Sequence, residues 1–328
     1  MPPDVSQQLW VVCAYFNPYR EPGRLENFRI FRQNCSVPLL VVEHSVGGHF
    51  ELKNDDAEIL VRVRDGDVMW QKERLLNVSL GHLPRECGYV AWLDADVVFE
   101  NPAWPEEAVA LLQACPLVQL FGKVEQVTQL PAFDGSPTRN ECSRSLVSML
   151  QDKSVSLDVF GHCGGSLVHG YSPGHAWAAR REVLACGGFY DAFILGSGDK
   201  AMAAAAYGCA EALTSALFLN EFQERHFLAW AKPFCGEVRG QVGHLDSTLY
   251  HLAHGRLSTR GYATRYQGFS GYHFDPTSDV QVTPEGSWGW STTRPRMHRY
   301  VEAYFQSRKE EALAHSRTAL PDTEKPEP

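Results

Sequence analysis

Apolar residues come in short blocks separated by polar, helix-compatible stretches over the first hundred positions. Leu9–Phe16 (LWVVCAYF) is an unbroken apolar run that stops at Asn17-Pro18, the pattern of a buried strand entering a turn. Residues 24–33 predict a helix, and 38–43 (PLLVVE) a second buried strand. Residues 59–64 (ILVRVR) alternate and carry β-branched side chains, so they predict a shorter strand. Residues 67–80 place Met69, Glu73, Leu76 and Leu80 at i+3/i+4 intervals, which predicts a helix. Residues 89–99 (YVAWLDADVVF) read as one more buried strand, interrupted by two acids. Strands alternating with helices in units of about 30 residues predict an α/β fold, with a mixed, mostly parallel central sheet flanked by helices.

Beyond residue 130 the pattern loosens. Residues 131–160 predict loop and short helix. Residues 176–186 (AWAARREVLAC) predict a helix stopped by Gly187-Gly188, and 199–207 (DKAMAAAAY) an alanine-rich helix. Residues 248–254 (TLYHLAH) predict a strand closed by Gly255, followed by loop over 256–290 and a last helix over 298–316. The tail 317–328 is polar and proline-containing, so it is expected to be disordered. The resulting division is a main domain over 1–265, a C-terminal loop and helix over 266–316 packing on it, and the tail.

Composition narrows the function classes. The 328 residues are 44% hydrophobic and 21% charged, as in a folded globular protein, and the formal net charge is −9. An acidic chain without a Lys/Arg block makes nucleic acid a poor partner. No apolar run reaches the roughly 20 residues of a transmembrane helix, and the first ten residues lack the marks of a secretory signal. These features point to a soluble, cytoplasmic protein. The nine cysteines are scattered without a CxxC pair, which argues against zinc ribbons and dithiol redox motifs.

The chemistry begins at Asp94-Ala95-Asp96 inside WLDADVVF. Acids at i and i+2 of a regular strand point to the same side, and two carboxylates at the end of a buried strand need a cation or strong donors. Oxygen ligands of this kind suit Mg2+ or Mn2+ held jointly with substrate phosphates. Capping or surface acids are the plainer alternative. A second pair, Asp65-Gly66-Asp67, lies in a turn-like, solvated setting.

WLDADVVF resembles the DxD strand of GT-A-fold glycosyltransferases, and other stretches resemble that family in its chain order. WQKERLLN (70–77) looks like the helix before the DxD strand, WAARREVLACGGFYDAFILGSGD (177–199) like the acceptor-side segment, and HLAHG (251–255) like the segment with a late metal-binding histidine. The resemblance covers roughly residues 9–265 and departs from the family at Gly198-Asp199, where an acidic pair is reduced to one carboxylate. It implies a GT-A-like, Rossmann-like domain with an irregular C-terminal extension. The implied activity is metal-dependent, inverting transfer of a sugar from a nucleoside-diphosphate sugar, with UDP as the expected nucleotide, to a hydroxyl of a glycan or other acceptor.

On this reading Asp94, Asp96 and His254 hold Mn2+ or Mg2+, and Asn17, Glu43, Lys72, Asp94, Trp177 and Gly188 bind the nucleotide sugar. Asp199 is the candidate general base, though an Asp before an alanine-rich helix also suits an N-cap. His251 and His254 fall on opposite strand faces, with His254 the expected ligand and His251 packed. Lys72 serves the leaving diphosphate or a solvated helix face. Arg256, Arg260 and Arg265 form a local cationic cluster suited to phosphate. Trp70, Trp92, Trp104 and Trp177 could stack on a sugar, although core packing is the plainer role. Two other readings are a catalytically silent carbohydrate-binding protein and a nucleotidyltransferase. The latter is disfavoured because FNPYREPGR after the first strand lacks a glycine-rich phosphate loop.

Overall fold

The apolar runs become strands because each can bury side chains on both faces of one sheet. A computed structural model describes residues 8–127, 142–163, 170–252, 261 and 264–308. In chain order the strands are β1 (Leu9–Phe16), β2 (Leu39–His44), β3 (Ile59–Val63), β4 (Tyr89–Leu93), β5 (Val97–Phe99), β6 (Leu117–Gln119) and β7 (Lys123–Val127). They continue as β8 (Cys142–Ser145), β9 (Tyr171–Ser172), β10 (Ala176–Arg180), β11 (Val242–His244), β12 (Thr248–Leu252), β13 (Val280–Val282) and β14 (Trp288–Trp290). The central sheet runs β11-β6-β10-β4-β1-β2-β3, and every neighbouring pair is parallel except the two made by β10. The α/β expectation of a mixed, mostly parallel sheet between helices is met.

Alternation along the strands sorts the core into two layers. Leu9, Val11 and Cys13 of β1 pack with Phe28, Phe31, Trp104 and Leu112 from the helices Pro22–Gln33 and Trp104–Ala114. Val12, Leu40, Trp92 and Trp177 pack on the other face with Leu75, Leu76, Ala201 and Phe227. Each fully buried Leu, Val or Phe contributes roughly 1.5–3 kcal/mol, so the two layers fix the register of the whole sheet.

Two expected elements are corrected. Residues 176–186 are not one helix: 176–180 form β10, and only Arg181–Ala185 is helical. β10 pairs along its length with β4 and β6, and that tertiary pairing overrides alanine's helix propensity. Residues 89–99 are not one strand: β4 ends at Leu93, Asp94-Ala95-Asp96 form a connection, and β5 joins a second sheet ordered β5-β12-β7-β8-β9. The two acids therefore sit where the chain passes from one sheet to the other.

The segment expected as loop over 256–290 contains a helix, Arg265–Phe269, and the β13–β14 hairpin. That hairpin is docked by the second acidic pair. Asp67 Oδ2 accepts the Trp290 N–H at 2.8 Å. The buried Gln71 amide donates to the Trp288 carbonyl at 2.8 Å and accepts from its N–H at 2.9 Å. Asp65-Gly66-Asp67 is thus a structural turn that fixes the start of the Lys72–Leu80 helix. The last helix spans Pro295–Ser307; the expected tail lies outside the described residues. Among the described residues, no helix is long and apolar enough to cross a membrane.

Gly188 closes the turn after the Arg181–Ala185 helix at φ +64, and a Cβ there would stand 2.2 Å from Asn77 Oδ1. Asn77 in turn bonds both backbone groups of Phe189, at 2.8 and 2.9 Å, so its amide has little room to withdraw. We expect Gly188→Ala to lose about 2 kcal/mol of stability and several degrees of melting temperature. Scanning calorimetry measures this, and an unchanged melting temperature would show that the turn relaxes freely.

Candidate active site

A cavity of about 580 Å³ opens beside the C-terminal ends of β1 and β4, the crevice that open α/β sheets leave for ligands. Its wall combines the Asn17-Pro18-Tyr19 turn, residues 70–72 at the head of a helix, Asp94-Ala95-Asp96, residues 173–175 before β10, residues 197–200, and His251. These segments are far apart in sequence and meet through the sheet order.

Lys72 occupies the centre. Its Nζ lies 2.6 Å from Asp94 Oδ1 and 3.0 Å from Asp199 Oδ2, so one ammonium bridges two carboxylates. His175 Nδ1 approaches the other Asp94 oxygen at 3.6 Å. Burial alone would raise Asp94, but the Lys72 charge, helped by the neighbouring His175, outweighs it and holds the carboxyl well below the usual range. Burial would lower Lys72, yet Asp199 and Asp94 outweigh that and keep it charged. Asp199 goes the other way: burial, reinforced by repulsion from Asp94, pushes its pKa up against the pull of Lys72.

The Asp199 carboxylate settles which group it serves. It lies in the first turn of the Gly198–Ala206 helix, where the helix dipole favours an acid, but its side-chain bonds go to Lys72. The Ala201 N–H is bonded to the Ser197 carbonyl instead. Asp199 therefore faces the cavity and is not the side-chain cap of its helix.

Asp96 pairs with a histidine across the two-sheet junction. His251 is almost fully buried and places Nε2 3.4 Å from Asp96 Oδ1, because β12 aligns His251 with Val97 of β5. Its Nδ1 meets the Gln126 side-chain amide, and its ring lies 4.6 Å from that of His175. The expectation that His251 faces only packed side chains is corrected: strand pairing turns it toward the acidic connection. His254 lies outside the described residues, as do Arg256 and Arg260. Among the described residues, no three His, Cys, Asp or Glu side chains converge on one point as they stand.

Of the other expected site residues, Asn17 lines the cavity, donating to Glu51 Oε2 at 2.9 Å and accepting the Glu21 N–H at 2.9 Å. Glu43, Trp177 and Gly188 do not line it. Glu43 is buried and accepts the N–H groups of Glu51 and Leu52 at 2.5 and 3.1 Å, touching the site only through the loop it holds. Trp177 is fully buried in the sheet and donates to the Pro173 carbonyl, which makes it core. Trp92 and Trp104 are core as well, whereas Trp70 lines the cavity. Asp191, a neighbouring acid, is occupied by Arg74 at 2.9 Å and Asn77 at 2.8 Å.

Several cavity residues have no motif that announces them. His175 sits in an unremarkable PGHA stretch, and Lys200, with burial lowering its pKa to about 8, donates to the His162 carbonyl at 2.5 Å. Glu73, 5% exposed, lies directly behind Lys72 and accepts the Trp70 Nε1–H at 2.7 Å. It packs so tightly on Gly198 that a Cβ there would lie 2.1 Å from Glu73 Oε1.

No family model and no curated protein matches the chain. Solved structures similar to it include a mannosyltransferase from Pyrobaculum calidifontis in complex with GDP-Man and Mn2+, 17% identical with a TM-score of 0.36. That match covers 61% of this chain and 52% of the other, so the chain spans about half the length of that protein. Glucosyl-3-phosphoglycerate synthase from Mycobacterium tuberculosis, in complex with Mn2+, UDP and phosphoglyceric acid, is 15% identical over 89% of this chain and 90% of its own, with a TM-score of 0.38. The catalytic domain of Drosophila beta1,4-galactosyltransferase 7, in complex with xylobiose, is 10% identical over 88% and 97%, with a TM-score of 0.36. Likeness at this level assigns no activity and no ligand to this chain, whose chemistry has to be read from its own side chains.

Glu73 yields a prediction from its surroundings. Burial, opposed by Lys72 and reinforced by Asp199, raises its pKa from 4.5 to about 8. Between those values the unfolded chain ionises while the folded one stays protonated, so stability falls as pH rises through the window. Glu73→Gln keeps the acceptor for Trp70 and cannot ionise. Its melting temperature relative to the wild type should therefore be higher at pH 8 than at pH 5. Parallel pH profiles for the two proteins would overturn this assignment.

Proposed function

We propose that the chain is a metal-dependent glycosyltransferase that moves a sugar from a nucleoside-diphosphate sugar, with UDP sugars the first donors to test, to an acceptor hydroxyl with inversion. The observation that carries this reading is the convergence of Asp94, Asp96, Asp199, His251 and Lys72 on one cavity at the strand ends.

A divalent cation is tested by the Asp96–His251 geometry. Two ligands about 2.1 Å from one ion stand about 3.0–3.4 Å apart, and the observed separation is 3.4 Å. The Gln126 amide nitrogen meets Nδ1 in the structure; the ligand role calls for the flipped amide, whose oxygen would accept the Nδ1 proton and leave Nε2 for the ion. Asp96 and His251 would hold Mn2+ or Mg2+ together with diphosphate oxygens, and the ion would supply charge stabilisation for the leaving group. Asp94, turned to Lys72, orients the ammonium on the same side, where it adds positive charge near the departing diphosphate.

The acceptor oxygen attacks the anomeric carbon as the bond to the diphosphate oxygen breaks, and the diphosphate leaves with that electron pair. Asp199 takes the hydroxyl proton, and its raised pKa brings it nearer the working pH of a general base. A single displacement with one base inverts the anomeric centre. Asn17 lies at the first-strand turn, where the nucleoside would sit.

Release of nucleoside diphosphate from a panel of UDP and GDP sugars with Mn2+ tests the activity; no turnover and no nucleotide binding across the panel would end this reading. Asp199→Asn should bind nucleotide normally while transfer falls at least about a hundredfold. Transfer near the wild-type rate would move the base elsewhere. Asp96→Asn and His251→Ala should each raise the Mn2+ concentration for half-maximal nucleotide binding at least about tenfold, read by calorimetry. An unchanged requirement would show that the ion lies away from this pair.

A further inference from the structure

Two guanidinium groups meet at one atom in the cavity wall. Arg265, 6% exposed, donates from Nη1 to the Tyr304 hydroxyl oxygen at 2.8 Å and from Nη2 to Ser197 Oγ at 2.6 Å. Arg308 donates to the same Tyr304 oxygen at 3.0 Å, and its guanidinium lies 4.8 Å from the Trp70 ring centre. Both arginines line the cavity. Gathering like charges costs Coulomb energy, and here a shared phenol oxygen and a hydroxyl hold the two forks in place.

Two further observations agree. Burial alone would push the Tyr304 phenol up, yet the two arginines outweigh it and its pKa falls below the ordinary value. Ser197, which fixes Arg265, is held at φ +92, a strained conformation for a residue with a side chain. Strain of this kind persists where the surrounding structure requires one placement of the group. Ser197 stands two residues before Asp199, whereas Asp96 and His251 come from the β5–β12 side.

We propose that Arg265 and Arg308 form an oxyanion subsite for the acceptor, so that the hydroxyl compound receiving the sugar carries a phosphate or carboxylate. The planar guanidinium forks would grip that group while the acceptor hydroxyl faces Asp199. The word acceptor rests on the glycosyltransferase reading; the oxyanion subsite does not.

The test titrates inorganic phosphate, and acetate in a second arm, into the full chain by calorimetry, with and without saturating UDP and Mn2+. Phosphate should bind in both conditions. Arg308→Gln, at a half-buried position, and Tyr304→Phe, which removes the shared oxygen, should each weaken phosphate at least about tenfold, as expected for a charge-assisted hydrogen bond. Both variants should keep the wild-type affinity for UDP, and Arg308→Gln a melting temperature close to wild type. Acetate binding with the same sensitivity would extend the subsite to carboxylates, and its absence would restrict it to phosphate. No phosphate binding, binding indifferent to Arg308→Gln, or complete displacement by UDP would overturn the proposal; the last would give the arginines to the donor diphosphate. Failure of the glycosyltransferase reading looks different: UDP and GDP sugars neither bind nor turn over, while the phosphate titration keeps its dependence on Arg308.

Discussion

Lys72 stands between carboxylates from distant parts of the chain, Asp94 at the end of β4 and Asp199 at the head of a helix more than a hundred residues later. Its charge is the strongest influence lowering the pKa of each acid. Removing one partner of a fully buried pair costs about 3–5 kcal/mol. Here the side chains keep 14–28% exposure to the cavity, so the cost is smaller but still enough to decide how the walls close. Glu73 shows the limit of what one ammonium can balance. With Asp94 and Asp199 already at Lys72, a third buried carboxyl beside it keeps its proton to about pH 8.

The position of Lys72 is itself derived. Asp67 and Gln71 fasten the helix start to the β13–β14 hairpin, so a C-terminal element sets where the central cation stands. The strands behind it need no such support, because their two-sided burial fixes them. A strand end thus presents Asp94, a helix head presents Asp199, and a helix start fastened to the hairpin presents the cation.

The same contrast explains what could be read from the sequence. β1, β2 and the alanine-rich helix were legible because long apolar or helix-forming runs have one stable way to bury themselves. Asp94 and Asp96 were legible because acids inside an apolar run are costly without partners. β10 was not, since its alanines favour a helix and only the gap between β4 and β6 makes them a strand. The role of His251 was hidden for a related reason. Local spacing separates it from His254, but only the pairing of β12 with β5 decides what it faces. His175, Lys200 and the Arg265–Tyr304–Arg308 cluster carry no local pattern, because their partners lie on other elements.

The antiparallel strand in the middle of the sheet also constrains how the chain is made. β4 and β6 are not neighbours; β10 fills the space between them and pairs with both. During synthesis both strands leave the ribosome before their common partner exists. About 80 residues separate β4 from β10, which at roughly 5–20 residues per second leaves the β4 edge open for about 4–16 s. For that interval the nascent chain displays unpaired strand edges, which template aggregation with other chains. β10, alanine-rich apart from the fully buried Trp177, therefore joins the sheet after β4 has been made. Crowding of the nascent chain, more than the stability of the finished sheet, would then set how well this protein is produced.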